Sequence, residues 1–132
     1  MYIYIFKVVY SGDTRPCNDL VAAGAGADLL IHEATHSDDM IDKARSDRHS
    51  TVGEAIDISV RMRAKYTILT HFSSRFEKMV PDVRAYGSRA ANVACAVDGM
   101  HVELARLPLL PAISIRITDL LAKEYKEAID ED

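Results

Sequence analysis

Hydrophobic and polar positions divide the chain into short apolar runs separated by amphipathic stretches. Residues 2–10 are β-branched and aromatic with little polar alternation, the pattern of a strand covered on both faces. Pro16 opens a short helix to about Ala23, and Gly24 and Gly26 stop it. A second apolar run, Asp28-Leu29-Leu30-Ile31-His32, completes a strand-helix-strand unit. After Thr35 the chain turns polar, with Asp38, Asp39 and Asp42 among Met40, Ile41 and Ala44, which predicts a short exposed helix or an ordered loop.

A clear helix start follows. Thr51 can cap it while Glu54 returns the bond to the cap amide, and Val52, Ala55, Ile56 and Val60 form its apolar stripe. Asp57 and Arg61 make an i, i+4 pair on another face, and the helix ends near Arg63. Tyr66-Thr67-Ile68-Leu69-Thr70 is a third strand, so the β-α-β pattern repeats. A short helix is expected over Ser73 to Met79. Two further strands, 92–98 and 100–104, flank Asp98-Gly99 as a hairpin. Pro108 and Pro111 then interrupt the chain before an amphipathic helix with Ile117, Leu120, Leu121, Tyr125 and Ala128 on one side.

The 132 residues, 48% apolar and 27% charged, have the composition of an ordinary globular chain able to bury one core. No run of about 18 apolar residues occurs, so no membrane span is expected, and no secretory signal is read at the N-terminus. Cys17 and Cys95 form no CxxC pair and read as buried free thiols in a reducing compartment, with a lone disulfide between them as the other reading. The net charge of −4 is unevenly placed. From residue 91 onward four basic residues face eight acidic ones, leaving residues 1–90 neutral, with Arg15, Arg48 and Arg75 near polar loops. A polyanionic partner is permitted there, and so is a plain mixed-charge surface.

Four polar stretches follow strand-like runs or precede a helix, and in an open α/β sheet such loops meet at one edge. They are Ser11-Gly12-Asp13-Thr14-Arg15, Ile31-His32-Glu33-Ala34-Thr35, Arg48-His49-Ser50-Thr51 and Leu69-Thr70-His71-Phe72-Ser73. Asp13 and His71 are an oxygen and an imidazole donor that suit zinc or manganese better than magnesium. Read singly, Asp13 equally fits an Asx-turn and His71 a hydrogen-bonded strand end. His49 precedes a helix N-terminus, where an anion is welcome and a histidine can protonate a leaving alkoxide. Glu33 can orient that imidazole, or simply be a carboxylate satisfied by backbone amides. His32 reads as packed in the fold, His36 is left undecided, and His101 reads as a strand residue.

Taken together, Ser-Gly-Asp-Thr-Arg-Pro-Cys, His-Glu-Ala-Thr, His-Ser-Thr and Thr-His-Phe-Ser-Ser-Arg-Phe, in this order, resemble the C-terminal half of ribonuclease Z. That family holds the tRNA 3′-processing endoribonucleases of the metallo-β-lactamase superfamily. The likeness runs from about Val8 to Met79 and more loosely to Pro111, where Ala96-Val97-Asp98-Gly99-Met100-His101-Val102 looks like the tail of the long eukaryotic form. It implies an α/β fold, the C-terminal half of an αββα sandwich over residues 1–110, followed by an amphipathic helix with an acidic end over 111–132. It implies that Asp13 bridges two zinc ions, that His71 binds one, that His49 is the general acid and that Glu33 supports the site. Arg15, Ser50, Thr51 and Arg75 are the residues expected to meet the substrate, a precursor tRNA losing its 3′ trailer.

The family's principal metal motif, His-x-His-x-Asp-His, does not occur in these residues. The expectation is therefore that this chain needs the missing N-terminal half for a complete site, and that alone it binds zinc poorly and is inactive. The resemblance implies an intracellular, nuclear or mitochondrial location and allows a homodimer. Two other readings stand beside it: another metallo-β-lactamase-fold phosphodiesterase or hydrolase, and a non-catalytic half-domain that pairs with another chain.

Overall fold

The computed structural model describes residues 5–76 and 80–130. Four strands, β1 (Val8–Tyr10), β2 (Leu29–Glu33), β3 (Tyr66–Thr70) and β4 (Val93–Cys95), form one sheet in the order β1-β2-β3-β4. All pairings are parallel, with Val8 opposite Leu29, Leu29 opposite Tyr66 and Thr67 opposite Val93. Parallel neighbours require crossovers, and these are the helices α1 (Asn18–Gly24), α2 (Ile41–Asp47) and α3 (Val52–Met62) and a 3-10 stretch over Val83–Ala90. A last helix, α4 (Leu110–Asp130), follows β4.

The pleat sorts side chains onto two faces. On one face Leu30 packs with Ile58 and Met62 of α3 and Val9, Leu20 and Val21 around α1, while Leu69, Val93 and Cys95 pack with Val52, Ala55 and Ile56. Helix α3 is therefore buried on two sides, which is why Ile58 and Met62 are fully enclosed. Its start carries the expected capping box: the Glu54 amide donates to Thr51 Oγ1 and the Glu54 carboxylate accepts from the Thr51 amide. Val60, expected in the apolar stripe, is 46% exposed, because the buried arc runs through Ile56, Ser59 and Met62 instead. Gly24 lets α1 approach α3 closely, since a Cβ there would lie 2.6 Å from Met62 Cε.

On the opposite face Leu29, Ile68 and Ala94 pack with Leu107 and Leu110 from the C-terminal segment. Coverage there is partial. Against the expectation of a strand covered on both faces, Val8 of β1 is 49% and Tyr10 66% exposed, because β1 is the sheet edge among the described residues and the C-terminal segment does not reach those positions. The strand is also shorter than expected; residues 2–4 lie outside the described residues.

The expected hairpin is absent among the described residues. Asp98 and Gly99 do turn, with Gly99 at φ +76° and the Met100 amide bonded to the Val97 carbonyl, but β4 pairs parallel with β3 and residues 100–104 form no strand. Met100 and Val102 pack onto the second face instead, and His101 is exposed rather than on a strand. Of the helix expected over Ser73 to Met79 a 3-10 turn forms at Ser74–Phe76, and residues 77–79 lie outside the described residues. Helix α4 buries Leu110 and Ser114, and Ser114 Oγ accepts the Cys95 amide at 2.9 Å. Leu120, expected on its apolar side, is 60% exposed, and Ala128, expected there too, is exposed. Both cysteines are free thiols, Cys95 buried as expected and Cys17, at the start of α1, only partly so. Burial of Cys95 pushes its thiol up to about 12, so it is inert as a nucleophile.

Ile56 and Val60 provide a direct check on this packing. Ile56→Ala should cost about 2–5 kcal/mol by opening a cavity under the sheet, and Val60→Ala less than about 0.5 kcal/mol, both measured by urea unfolding.

Candidate active site

The C-terminal ends of the parallel strands deliver their loops to one rim, where open α/β sheets place ligands. β1 leads into Ser11–Arg15, β2 ends at Glu33, β3 ends next to His71, and the turn between α2 and α3 brings His49. The loops are bonded to one another through the main chain: Ser11 N to Ile31 O at 3.0 Å, Ala34 N to Thr70 O at 2.9 Å and His36 N to Ser50 O at 3.2 Å. Two residues at the rim adopt left-handed backbone, His71 at φ 60° and Arg48, just before His49, at φ 63°. Such conformations persist in side chains other than glycine only when surroundings hold them, as here. Gly12, at φ +59°, makes the turn that presents Asp13.

Glu33 lies at the centre, its side chain 1% exposed. Its Oε1 accepts the Thr14 amide at 2.9 Å and His49 Nδ1 at 2.9 Å. Its Oε2 accepts the Thr35 amide at 3.1 Å and Thr35 Oγ1 at 2.8 Å. These four bonds use essentially all the acceptor capacity of a carboxylate. Because the carboxylate only accepts, His49 Nδ1 carries the proton and its Nε2 is left for the crevice. Thr35 spends its own hydroxyl proton on Glu33, so it accepts from His71 Nδ1, 2.8 Å away. Through Thr35, one buried acid thus fixes the tautomer of His71 as well, leaving His71 Nε2 as a free lone pair.

That nitrogen faces Asp13: His71 Nε2 and Asp13 Oδ2 are 3.7 Å apart. The His49 ring stacks on that of His71 with centroids 5.2 Å apart, and one donor atom each from Asp13, His49 and His71 lies within 4.8 Å of the others. Donors on a tetrahedral zinc sit about 3.3 Å apart, given metal–ligand bonds near 2.0–2.1 Å. The Asp13–His71 spacing fits a divalent ion after a small closure, and a carboxylate with a neutral imidazole is a donor set zinc favours. Both side chains are open to solvent, and a cavity of about 500 Å³ opens beside His71, lined also by Phe72, Ser73, Phe76 and Asp98.

The residues expected to meet substrate are mostly committed to the protein itself. Ser50 is fully buried and donates to the Thr14 carbonyl at 2.6 Å, and Thr51 caps α3. Arg15 is paired with Glu54 and with the His49 carbonyl. The side chain of Arg75 lies outside the described part of the structure. His32 is enclosed, its ring against the Glu33 carbonyl, and burial lowers its pKa so that it stays neutral. His36 is buried too, its ring edge-on to His49 at 6.2 Å and its Nε2 3.3 Å from Asp47 Oδ2. Sequence reasoning misses Thr35 as a site residue, although its place two residues after Glu33 in His-Glu-Ala-Thr is the available signal.

A family model describing a β-lactamase superfamily domain matches residues 4–72. The zinc phosphodiesterase ELAC protein 2 homolog of Caenorhabditis elegans is 45% identical over 104 residues, covering 79% of this chain and 12% of that protein. The ribonuclease Z, mitochondrial, of Drosophila melanogaster is 40% identical over 129 residues, covering 95% of this chain and 16% of its own length. Among solved structures, the long-form RNase Z from yeast superposes with a TM-score of 0.78 at 35% identity, over 96% of this chain and 17% of that one. The chain thus spans about one-eighth to one-sixth of these relatives.

The Glu33 carboxyl is held below its ordinary value of 4.5: burial alone would raise it, and the hydrogen bonds from Thr14 and Thr35, with the Ser50 backbone nearby, outweigh that. A carboxyl depressed on folding adds stability that is fully present above pH 4.5 and lost as the pH falls below it through the folded-state value. Glu33→Gln should therefore cost about 1–3 kcal/mol at pH 7 and flatten the acid limb of stability. Urea unfolding of both proteins as a function of pH measures this.

Proposed function

The chain belongs to the β-lactamase superfamily, and from that premise we propose that it is part of a zinc-dependent endonuclease that removes 3′ trailers from precursor tRNA. The observation that carries the reading is the pairing of Asp13 with His71 3.7 Å away, beside a histidine anchored on a buried acid. The names of the nematode and fly relatives support the chemistry and the RNA substrate. The mitochondrial label of the fly relative supports that compartment. Among the described residues no helix is long and apolar enough to cross a membrane.

Asp13 and His71 would hold zinc. When bound, the metal supplies an activated water and neutralises charge on the scissile phosphate. The rest falls to this chain's own groups. His49 presents Nε2 to the crevice, and as an imidazolium it gives that proton to the departing 3′ oxygen. It then remains a neutral ring with Nδ1–H still bonded to Glu33, so the proton count closes with no change at the acid. Thr35 keeps the His71 ring turned so that Nε2, not Nδ1, faces Asp13 and would be the atom offered to the zinc.

The remaining donors would come from a segment outside this sequence, which contains no His-x-His-x-Asp-His. The open second sheet face, with Val8 and Tyr10 exposed, is where that segment would pack.

Exchanging this chain for the matching segment of the yeast long-form RNase Z tests the proposal. The chimaera should trim precursor tRNA. His49→Ala should slow trimming about 10²–10⁴-fold yet affect bis(p-nitrophenyl) phosphate, whose leaving group needs no proton, less than about tenfold. Equal losses on both substrates would remove His49 from the acid's role.

A further inference from the structure

We propose that Arg15 is a positioning residue that locks the Asp13 loop to the His49 loop, rather than a contact for the RNA phosphates. This rests on the reading of Asp13 and His49 as site residues. Its Nη1 donates to the His49 carbonyl at 2.6 Å and to Glu54 Oε2 at 2.7 Å, and its Nη2 pairs with Glu54 Oε1. The partners lie 34 and 39 residues along the chain, so one planar fork joins three separate places: the end of β1, the turn before α3 and the first turn of α3.

Glu54 serves both ends of this arrangement. The Oε2 that receives Arg15 also accepts the Thr51 amide at 3.0 Å, closing the capping box. The arginine is thus fastened to the most regular feature near the site. With side chains 29% and 23% exposed, the pair is shielded more than a surface ion pair. A guanidinium already spending its fork on a carboxylate and a carbonyl has little left for a phosphate.

The need for a clamp follows from the backbone on either side. The Asp13 loop leaves β1 through Gly12 at φ +59°, a conformation glycine adopts without steric cost but that leaves the backbone there unconstrained by a side chain. The His49 loop leaves α2 through Arg48 at φ 63°, a left-handed helix end whose amide bonds the Ala44 and Arg45 carbonyls and where the regular helix stops. Arg15 bonds the main-chain carbonyl of His49 itself, one residue past that helix end. Lysine, a compact point charge on a flexible stem, cannot reproduce the planar fork.

The experiment uses the free chain and no metal or RNA. Backbone ¹⁵N order parameters and the ring-to-ring NOE between His49 and His71 are measured in the wild type, Arg15→Ala, Arg15→Lys, Glu54→Gln and, as a control on the same helix, Arg61→Ala. The Glu54→Gln side chain still closes the capping box but cannot form the ion pair, so this variant reports even if Arg15→Ala folds poorly. Residues 12–14 and 48–50 should fall from about 0.85 to below about 0.6 in Arg15→Ala, Arg15→Lys and Glu54→Gln, with the NOE weakened at least about fivefold and α3 unchanged. Added methylguanidine should restore both signals in Arg15→Ala alone. Loops that stay ordered without the fork, or that loosen equally in Arg61→Ala, overturn the proposal. Because no catalysis is read, these results stand apart from whether the chimaera trims tRNA.

Discussion

A single carboxylate, Glu33, sits where three loops meet and accepts four hydrogen bonds: from the Thr14 amide, His49, and the amide and hydroxyl of Thr35. Each donor belongs to a chain segment that carries or touches a candidate catalytic group. Thr14 follows Asp13, His49 bonds directly, and Thr35 passes the constraint on to His71. An acid this buried is tolerable only because it is saturated with donors, and the same saturation makes it a template for the loops. Remove it and the amides of Thr14 and Thr35 lose their acceptor while both imidazoles lose their orientation.

The fold brings those donors to Glu33. β2 places the acid at its own end, and parallel pairing with β1 and β3 puts the Asp13 and His71 loops on the same side of the sheet. Helix α3 adds the third loop, and its capping box doubles as the anchor for Arg15. The burial of α3 on two sides keeps that anchor fixed relative to the sheet. The rim is rigid underneath and open beside His71, which is what the proposed RNA substrate would need.

Much of this was legible in the sequence because it was local. The strand Tyr66–Thr70, the capping box of Thr51 with Glu54 and the free thiols follow from short-range patterns. Asp13, Glu33, His49 and His71 stand out as polar residues at strand ends or before a helix, and the structure gathers them at one rim. What was not legible depended on distant partners. The side chain of Arg15 is taken by a carboxylate 39 residues away, and Ser50 is buried on Thr14; neither fact has a local signal. Asp98-Gly99 does make a turn, but whether a turn becomes a hairpin depends on what competes for the next apolar residues. Here the second face takes Met100 and Val102. Likewise, Val8 and Tyr10 have the composition of buried strand residues but lie at an edge that only the tertiary fold defines.

Glu33 sets both histidines in the same sense, Nδ1 toward the protein and Nε2 toward the crevice, and the chemistry of the rim follows from that orientation. Long-range ¹H–¹⁵N correlation of the imidazole rings in their neutral form reads it directly. The expected result is the Nδ1–H tautomer for His49 and for His71, with His71 losing that preference in Thr35→Val. An Nε2–H tautomer at either ring in the wild type would contradict it, because the hydrogen-bond chain from the buried acid would then not exist.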